Sequence, residues 1–124
     1  MITDIVPVNE EYFKKRVFEL GKIIREGGLV SFPTETVYGL GANALDAEAA
    51  RKTYAAKGRP SDNPLIVHVA DKKEVSHYVK EVTPLEEKLM DAFWPGPLTI
   101  VFPKKDIIPK ATSGGLDTIA IRCP

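Results

Sequence analysis

Four short segments hold the residue types that bind small polar molecules. The first, Ser31-Phe-Pro-Thr-Glu-Thr-Val-Tyr-Gly-Leu-Gly41, leaves an apolar run at Pro33 and presents Thr34, Glu35, Thr36 and Tyr38 before a glycine pair. Polar side chains at a strand end, with glycines that allow close backbone approach, suit a small polar ligand. A plain turn with solvated threonines gives the same pattern. The second, Lys57-Gly-Arg59-Pro-Ser-Asp-Asn63-Pro, places a point charge, a planar fork and an amide on a loop stiffened by Gly58 and Pro60. Together they suit phosphate oxygens. Cations at a helix C-terminus are also ordinary dipole partners. The third is His68, which shares a strand face with Ile66 and Ala70 while Leu65, Val67 and Val69 take the other. A histidine there is a ligand or a core residue satisfied by one hydrogen bond. In the fourth, Thr118, Ala120 and Arg122 alternate against Ile119, Ile121 and Cys123. An arginine projecting from such a strand needs an anion: a ligand, or a carboxylate of the fold.

Other chemistries find no motif. There is no GxxxxGK[ST] loop, Gly39-Leu-Gly41 lacks the third glycine of a dinucleotide fingerprint, and HExxH, CxxC and a nucleophile elbow are absent. Two histidines and one cysteine argue against a structural zinc site. Lys14-Lys15-Arg16, Lys72-Lys73 and Lys104-Lys105 read as solvated faces, and Trp94 reads as packing.

The elements that must position these groups follow from periodicity and punctuation. Ile2–Val8 reads as a first strand. Asn9 caps a helix whose apolar period runs through Tyr12, Phe13, Val17, Leu20, Ile23 and Ile24, with Glu10 and Glu11 in its first turn, and Gly27-Gly28 ends it. Leu29–Phe32 reads as a buried strand, 34–45 as irregular, and Asp46 as the cap of a helix over Ala47–Ala56. Pro64–Ala70 is a strand and Asp71–Val79 a short helix. Thr83-Pro-Leu-Glu86 is a capping box with proline at N1, predicting a helix over Pro84–Phe93. Pro97–Phe102 and Asp117–Cys123 are further strands. Alternating elements with short, proline-edged strands predict an α/β (α+β) fold with a mixed sheet in one domain over residues 1–124.

Composition sets wide bounds. Of 124 residues, 44% are hydrophobic and 27% charged, as in globular domains, and 17 basic residues balance 17 acidic ones. Net charge therefore favours no partner class, and any basic surface must come from local clustering. The lone Cys123 excludes an internal disulfide and fits a reducing cytoplasm. With no long apolar run and no signal-like start, the expectation is a cytoplasmic protein without a membrane partner.

Taken in order, FPTETVYGLGA (32–42), KGRPSDNPLIVHV (57–69), FWPGPLTIVF (93–102) and DTIAIRCP (117–124) resemble the YrdC-like family of L-threonylcarbamoyl-AMP synthases. The resemblance covers most of the chain. It implies a YrdC-like fold and a nucleotidyltransferase that condenses L-threonine, bicarbonate and ATP, releasing pyrophosphate. Downstream transfer proteins then pass the threonylcarbamoyl group to tRNA. It implies that Thr36, His68 and Arg122 bind L-threonine and that Lys57, Arg59, Asn63 and Thr118 surround ATP. Mg²⁺ would arrive with the nucleotide, with no tightly bound cofactor and no metal site of the protein's own. It names no general base.

The family's domain continues into a Ser-x-Asn segment that does not occur here. The expectation is therefore the N-terminal portion of the domain, inactive when alone. The competing reading is a double-stranded RNA-binding, translation-associated module of the same fold. A hydrogenase-maturation carbamoyltransferase would call for more cysteines.

Overall fold

The computed structural model describes residues 2–7 and 9–124, without the side chains of Glu10 and Tyr12. Val8 and those two side chains, all part of the expectations above, lie outside the described residues. Residues 2–7 form no strand, contrary to expectation. Ile2 and Ile5 are exposed, and no neighbouring strand stands beside them to take ladder bonds.

Helix α1 (Glu10–Arg25) starts where the Asn9 carbonyl accepts from Phe13 N at 2.9 Å. It ends where Gly27 N bonds Ile24 O at 3.0 Å and Gly28 N bonds Ile23 O at 2.8 Å, the paired bonds of a glycine-closed helix end. Strands β1 (Val30–Phe32) and β2 (Gly39–Gly41) pair antiparallel, Phe32 opposite Gly39. β2 falls inside the stretch expected to be irregular. Two of its three residues are glycines, so it carries little strand signal of its own and exists through its pairing.

Helix α2 (Ala47–Lys57) is capped by the Asp46 carboxylate, which accepts from Glu48 N and Ala49 N. Strand β3 (Ile66–His68) follows, then a 3-10 helix (Lys72–His77) opened by an Asp71/Glu74 capping box, within the span expected to be a short helix. The predicted Thr83/Glu86 box opens α3 (Pro84–Phe93). Strand β4 (Thr99–Pro103), the single turn α4 (Lys110–Ser113) and strand β5 (Thr118–Arg122) complete the chain.

The second sheet has the order β3-β5-β4. β5 runs parallel to β3 and antiparallel to β4, so the sheet is mixed, as expected. Ile119 and Ile121 point into a core with Val67, Val75, Met90, Ile100, Phe102 and Ile108. The opposite face carries His68, Thr118 and Arg122. Trp94 packs against the core and donates its indole N–H to Leu98 O at 2.8 Å, the packing role expected of it.

Candidate functional site

β5 is the middle strand, and its register sets the site. His68 on β3 and Thr99 on β4 both stand opposite Arg122. Alternation that buries Ile121 and Cys123 therefore turns Arg122 and His68 out side by side. The turn after β1 arrives over them. Thr34 Oγ1 accepts from Thr36 N and Val37 N, each at 3.2 Å, and donates to Val37 O at 2.6 Å. One hydroxyl thus pins the turn and fixes where Glu35 and Thr36 are presented. Phe32 meets the His68 ring edge-on at 5.9 Å between centroids, which seats the β1–β2 hairpin against β3.

Arg122 holds three contacts at once. Its Nη2 donates to the Glu35 carboxylate in a close ion pair and to Thr36 Oγ1 at 3.3 Å, and its Nε reaches Gly96 O at 3.4 Å. The carboxylate of the fold that an arginine on this strand requires is Glu35. The Arg122 side chain is 13% exposed and that of Glu35 is 39% exposed, so the pair lies at the mouth of the site. A hydrogen bond from its own backbone, with Arg122 adding to it, holds the Glu35 carboxyl below its ordinary range despite some desolvation. Burial, with Arg122 adding to it, lowers the His68 pKa against the opposing pull of Ile66 O and Glu35. His68 Nδ1 lies 3.1 Å from Ile66 O, and since a carbonyl only accepts, Nδ1 carries the proton. Nε2 of the neutral ring is then an acceptor.

A cleft of about 1040 Å³ opens in front of these groups. His68 and Arg122 line it from the sheet, Thr34 and Tyr38 from the turn, Lys57 from the last turn of α2 and Arg59 from the loop after it. Gly58, at φ +63°, closes α2 in the left-handed region and sends its N–H back to Ala55 O and Tyr54 O. Lys57 and Arg59 thereby stand on a bent but hydrogen-bonded backbone. With its amide oxygen turned to the guanidinium, Asn63 accepts from Arg59 Nε at 3.1 Å and also from Nη2.

The structure therefore brings Thr36, His68 and Arg122 together, and sets Lys57 and Arg59 on the same cleft with Asn63 bracing Arg59. Thr118 stands apart. It shares the exposed face of β5 with Arg122 but is four residues away, roughly 13 Å along the strand, and it does not line the cleft.

A family model described as "Telomere recombination" and named for Sua5, YciO and YrdC matches residues 22–124. The chain belongs to the Sua5/YciO/YrdC family. Among curated relatives, the threonylcarbamoyl-AMP synthase of Pyrococcus abyssi (strain GE5 / Orsay) is 50% identical over 123 residues. That of Bacillus subtilis (strain 168) is 44% identical over 124 residues. Each alignment covers 99% of this chain but only 36% and 35% of the relatives, so the chain spans about a third of their length. The crystal structure of P. abyssi Sua5 complexed with L-threonine superposes at a TM-score of 0.94, covering 98% of this chain and 36% of that one at 50% identity.

In this member of the Sua5/YciO/YrdC family, one site residue was not assigned a role by sequence reasoning. Glu35 stood in the polar turn with nothing to set it above its threonine neighbours. The partner that singles it out, Arg122, lies 87 residues along the chain.

Proposed function

We propose that the chain forms the N-terminal, substrate-binding portion of a threonylcarbamoyl-AMP synthase domain, acting in the cytoplasm on L-threonine, bicarbonate and ATP. The observation that carries this reading is that His68 and Arg122, the latter bonded to Thr36, line one cleft together with Lys57 and Arg59. The names of the aligned relatives and the threonine complex of one of them support it.

On this reading Arg122 holds the threonine carboxylate, and the Thr36 hydroxyl and His68 Nε2 face its side-chain hydroxyl. The amine takes its carbon from bicarbonate with loss of water. A carbamate oxygen then attacks the α-phosphorus, the α–β bridge breaks and pyrophosphate leaves. Lys57 and Arg59 meet the phosphates, with Asn63 fixing the Arg59 fork and Thr118 serving the nucleotide from further along β5. None of these residues forms a covalent bond to substrate. Their contribution is orientation and neutralisation of charge on the phosphates. Mg²⁺ would enter on the phosphate oxygens of ATP. Transfer to tRNA would fall to partner proteins.

The test is pyrophosphate release by the full-length gene product. It should require ATP, threonine and bicarbonate together. Arg122→Ala should cost about 2–5 kcal/mol of threonine affinity while ATP affinity stays near normal. Lys57→Ala and Arg59→Ala should do the reverse. Absence of threonine-dependent pyrophosphate from folded wild-type protein would refute the synthase reading. A larger loss of threonine than of ATP affinity in Lys57→Ala or Arg59→Ala would refute the division of roles.

A further inference from the structure

Glu35 makes a contact that binding of a carboxylate must break. Its side chain pairs with Arg122 Nη2, the group that the reading above gives to the threonine carboxylate, and it is exposed. The turn that carries it is pinned through Thr34, so Glu35 stays at the site when Arg122 changes partner. Released from Arg122, the exposed Glu35 carboxylate stays beside it and is open to a cation. An amino acid brings both charges, one carbon apart.

We infer that Glu35 and Arg122 together form a receptor for an amino-acid zwitterion, in which the α-carboxylate takes Arg122 and the α-ammonium takes Glu35. The inference rests on the amino-acid reading of this site. In the closed pair the two protein charges satisfy each other, so Arg122 is not left as bait for any passing anion. A plain carboxylic acid gains Arg122 only by breaking its pair with Glu35, and a plain amine gains Glu35 only by breaking the same pair, so each exchanges one ion pair for another. A zwitterion inserts between them and leaves four charges in alternating order. Selectivity thus comes from a penalty on half-matching ligands as well as from contacts to the right one. Thr36 Oγ1, already 3.3 Å from Arg122 Nη2, keeps the guanidinium aimed at the cleft through the exchange. Glu35 is a specificity-determining residue here.

The experiment is calorimetric titration of the full-length protein with L-threonine, L-serine and glycine, and with their counterparts lacking the amine, 3-hydroxybutyrate, 3-hydroxypropanoate and acetate. Wild-type protein should prefer threonine over 3-hydroxybutyrate by at least about a hundredfold. Glu35→Gln should weaken threonine by about 10- to 100-fold and leave 3-hydroxybutyrate unchanged or tighter, collapsing the ratio. Glu35→Asp, which keeps the charge, should restore most of it. Equal weakening of both ligands in Glu35→Gln would show that Glu35 only props up Arg122 and would overturn the inference. Tighter threonine binding in Glu35→Gln would show Glu35 to be a mere competitor and would overturn it too. A wild-type protein that prefers another amino acid, with the ratio still lost in Glu35→Gln, would refute the threonine reading and uphold this one. No amino acid bound by folded wild-type protein would overturn both.

Discussion

His68 stands beside a guanidinium on a half-buried strand, an environment that opposes a second positive charge. Burial acts first and Arg122 adds to it, so the ring keeps its neutral form below the ordinary histidine value of 6.5. In the unfolded chain the same ring protonates at its ordinary value. The unfolded state therefore takes up the proton first as pH falls, and this contribution to stability is present above 6.5 and lost on descending through the lower, folded value. Denaturant unfolding at about pH 8 and about pH 5 should show a larger acid loss for wild type than for His68→Gln. Threonine affinity should fall over the same window, because a protonated Nε2 no longer accepts from a hydroxyl. A His68→Gln variant with the same pH dependence as wild type would place the titrating group elsewhere. At this scale the sequence made the outward face of β5 and the orientation of His68 legible, since period-two alternation is a local property. It left open whether Arg122 served a ligand or the fold, because Glu35 becomes its neighbour only through a long-range turn. The structure answers with the fold's own carboxylate, and the inference above makes both answers part of one site.

Between elements, the connection that matters most to the nucleotide side is α4 against the Lys57–Asn63 loop. Gly114 closes α4 at φ +63°, and a Cβ there would stand 3.0 Å from both Asp62 O and Pro64 N. Both atoms are backbone, so neither can turn aside. Leu65 N also bonds Thr112 O at 3.0 Å, which ties the start of β3 to the same turn. Gly114→Ala should destabilise the protein by about 1–3 kcal/mol through strain and overpacking. In the protein that remains folded it should weaken ATP binding more than threonine binding, because the displaced loop carries Arg59 and Asn63. Chemical denaturation together with titration of both ligands would check this, and a loss confined to threonine would contradict it. The sequence did not announce α4. Four residues between Pro109 and a glycine pair carry no helical period, and the turn exists because of what it packs against. Helix α3 was legible for the opposite reason: its capping box, proline and amphipathic run all lie within the segment itself. β2 and the missing strand over residues 2–7 make the same point. A strand is a relation between two segments, and a single sequence shows only one of them at a time.

The molecule as a whole is unevenly held. Among the described residues the central core runs from Val67 to Cys123, with none from α1 or the β1–β2 hairpin. Phe18 on α1 is 80% exposed, and α1 presents Phe13, Val17 and Ile23 to solvent as well. No helix among the described residues is long and apolar enough to cross a membrane. The cleft lies across the boundary between the two parts: Thr34 and Tyr38 come from the lightly anchored side, His68 and Arg122 from the packed one. Amide exchange should accordingly be slowest in β4 and β5 and much faster in α1 and in residues 34–41. Saturating threonine should slow exchange in 34–41 and leave β4 unchanged. Slowing confined to the packed part would show that the turn takes no share in binding.

The pinned turn over Arg122 also bears on how compounds for this protein should be sought. A molecule that settles only on the Lys57–Asn63 wall touches one side of the cleft and leaves the hairpin as loose as before. A molecule that engages Glu35 and Arg122 together joins both parts, yet its melting-temperature shift is set by its affinity and concentration alone. Thermal-shift screening will therefore rank it level with a wall-binder of equal strength. Amide exchange in residues 34–41 tells the two apart, because only the first should slow it.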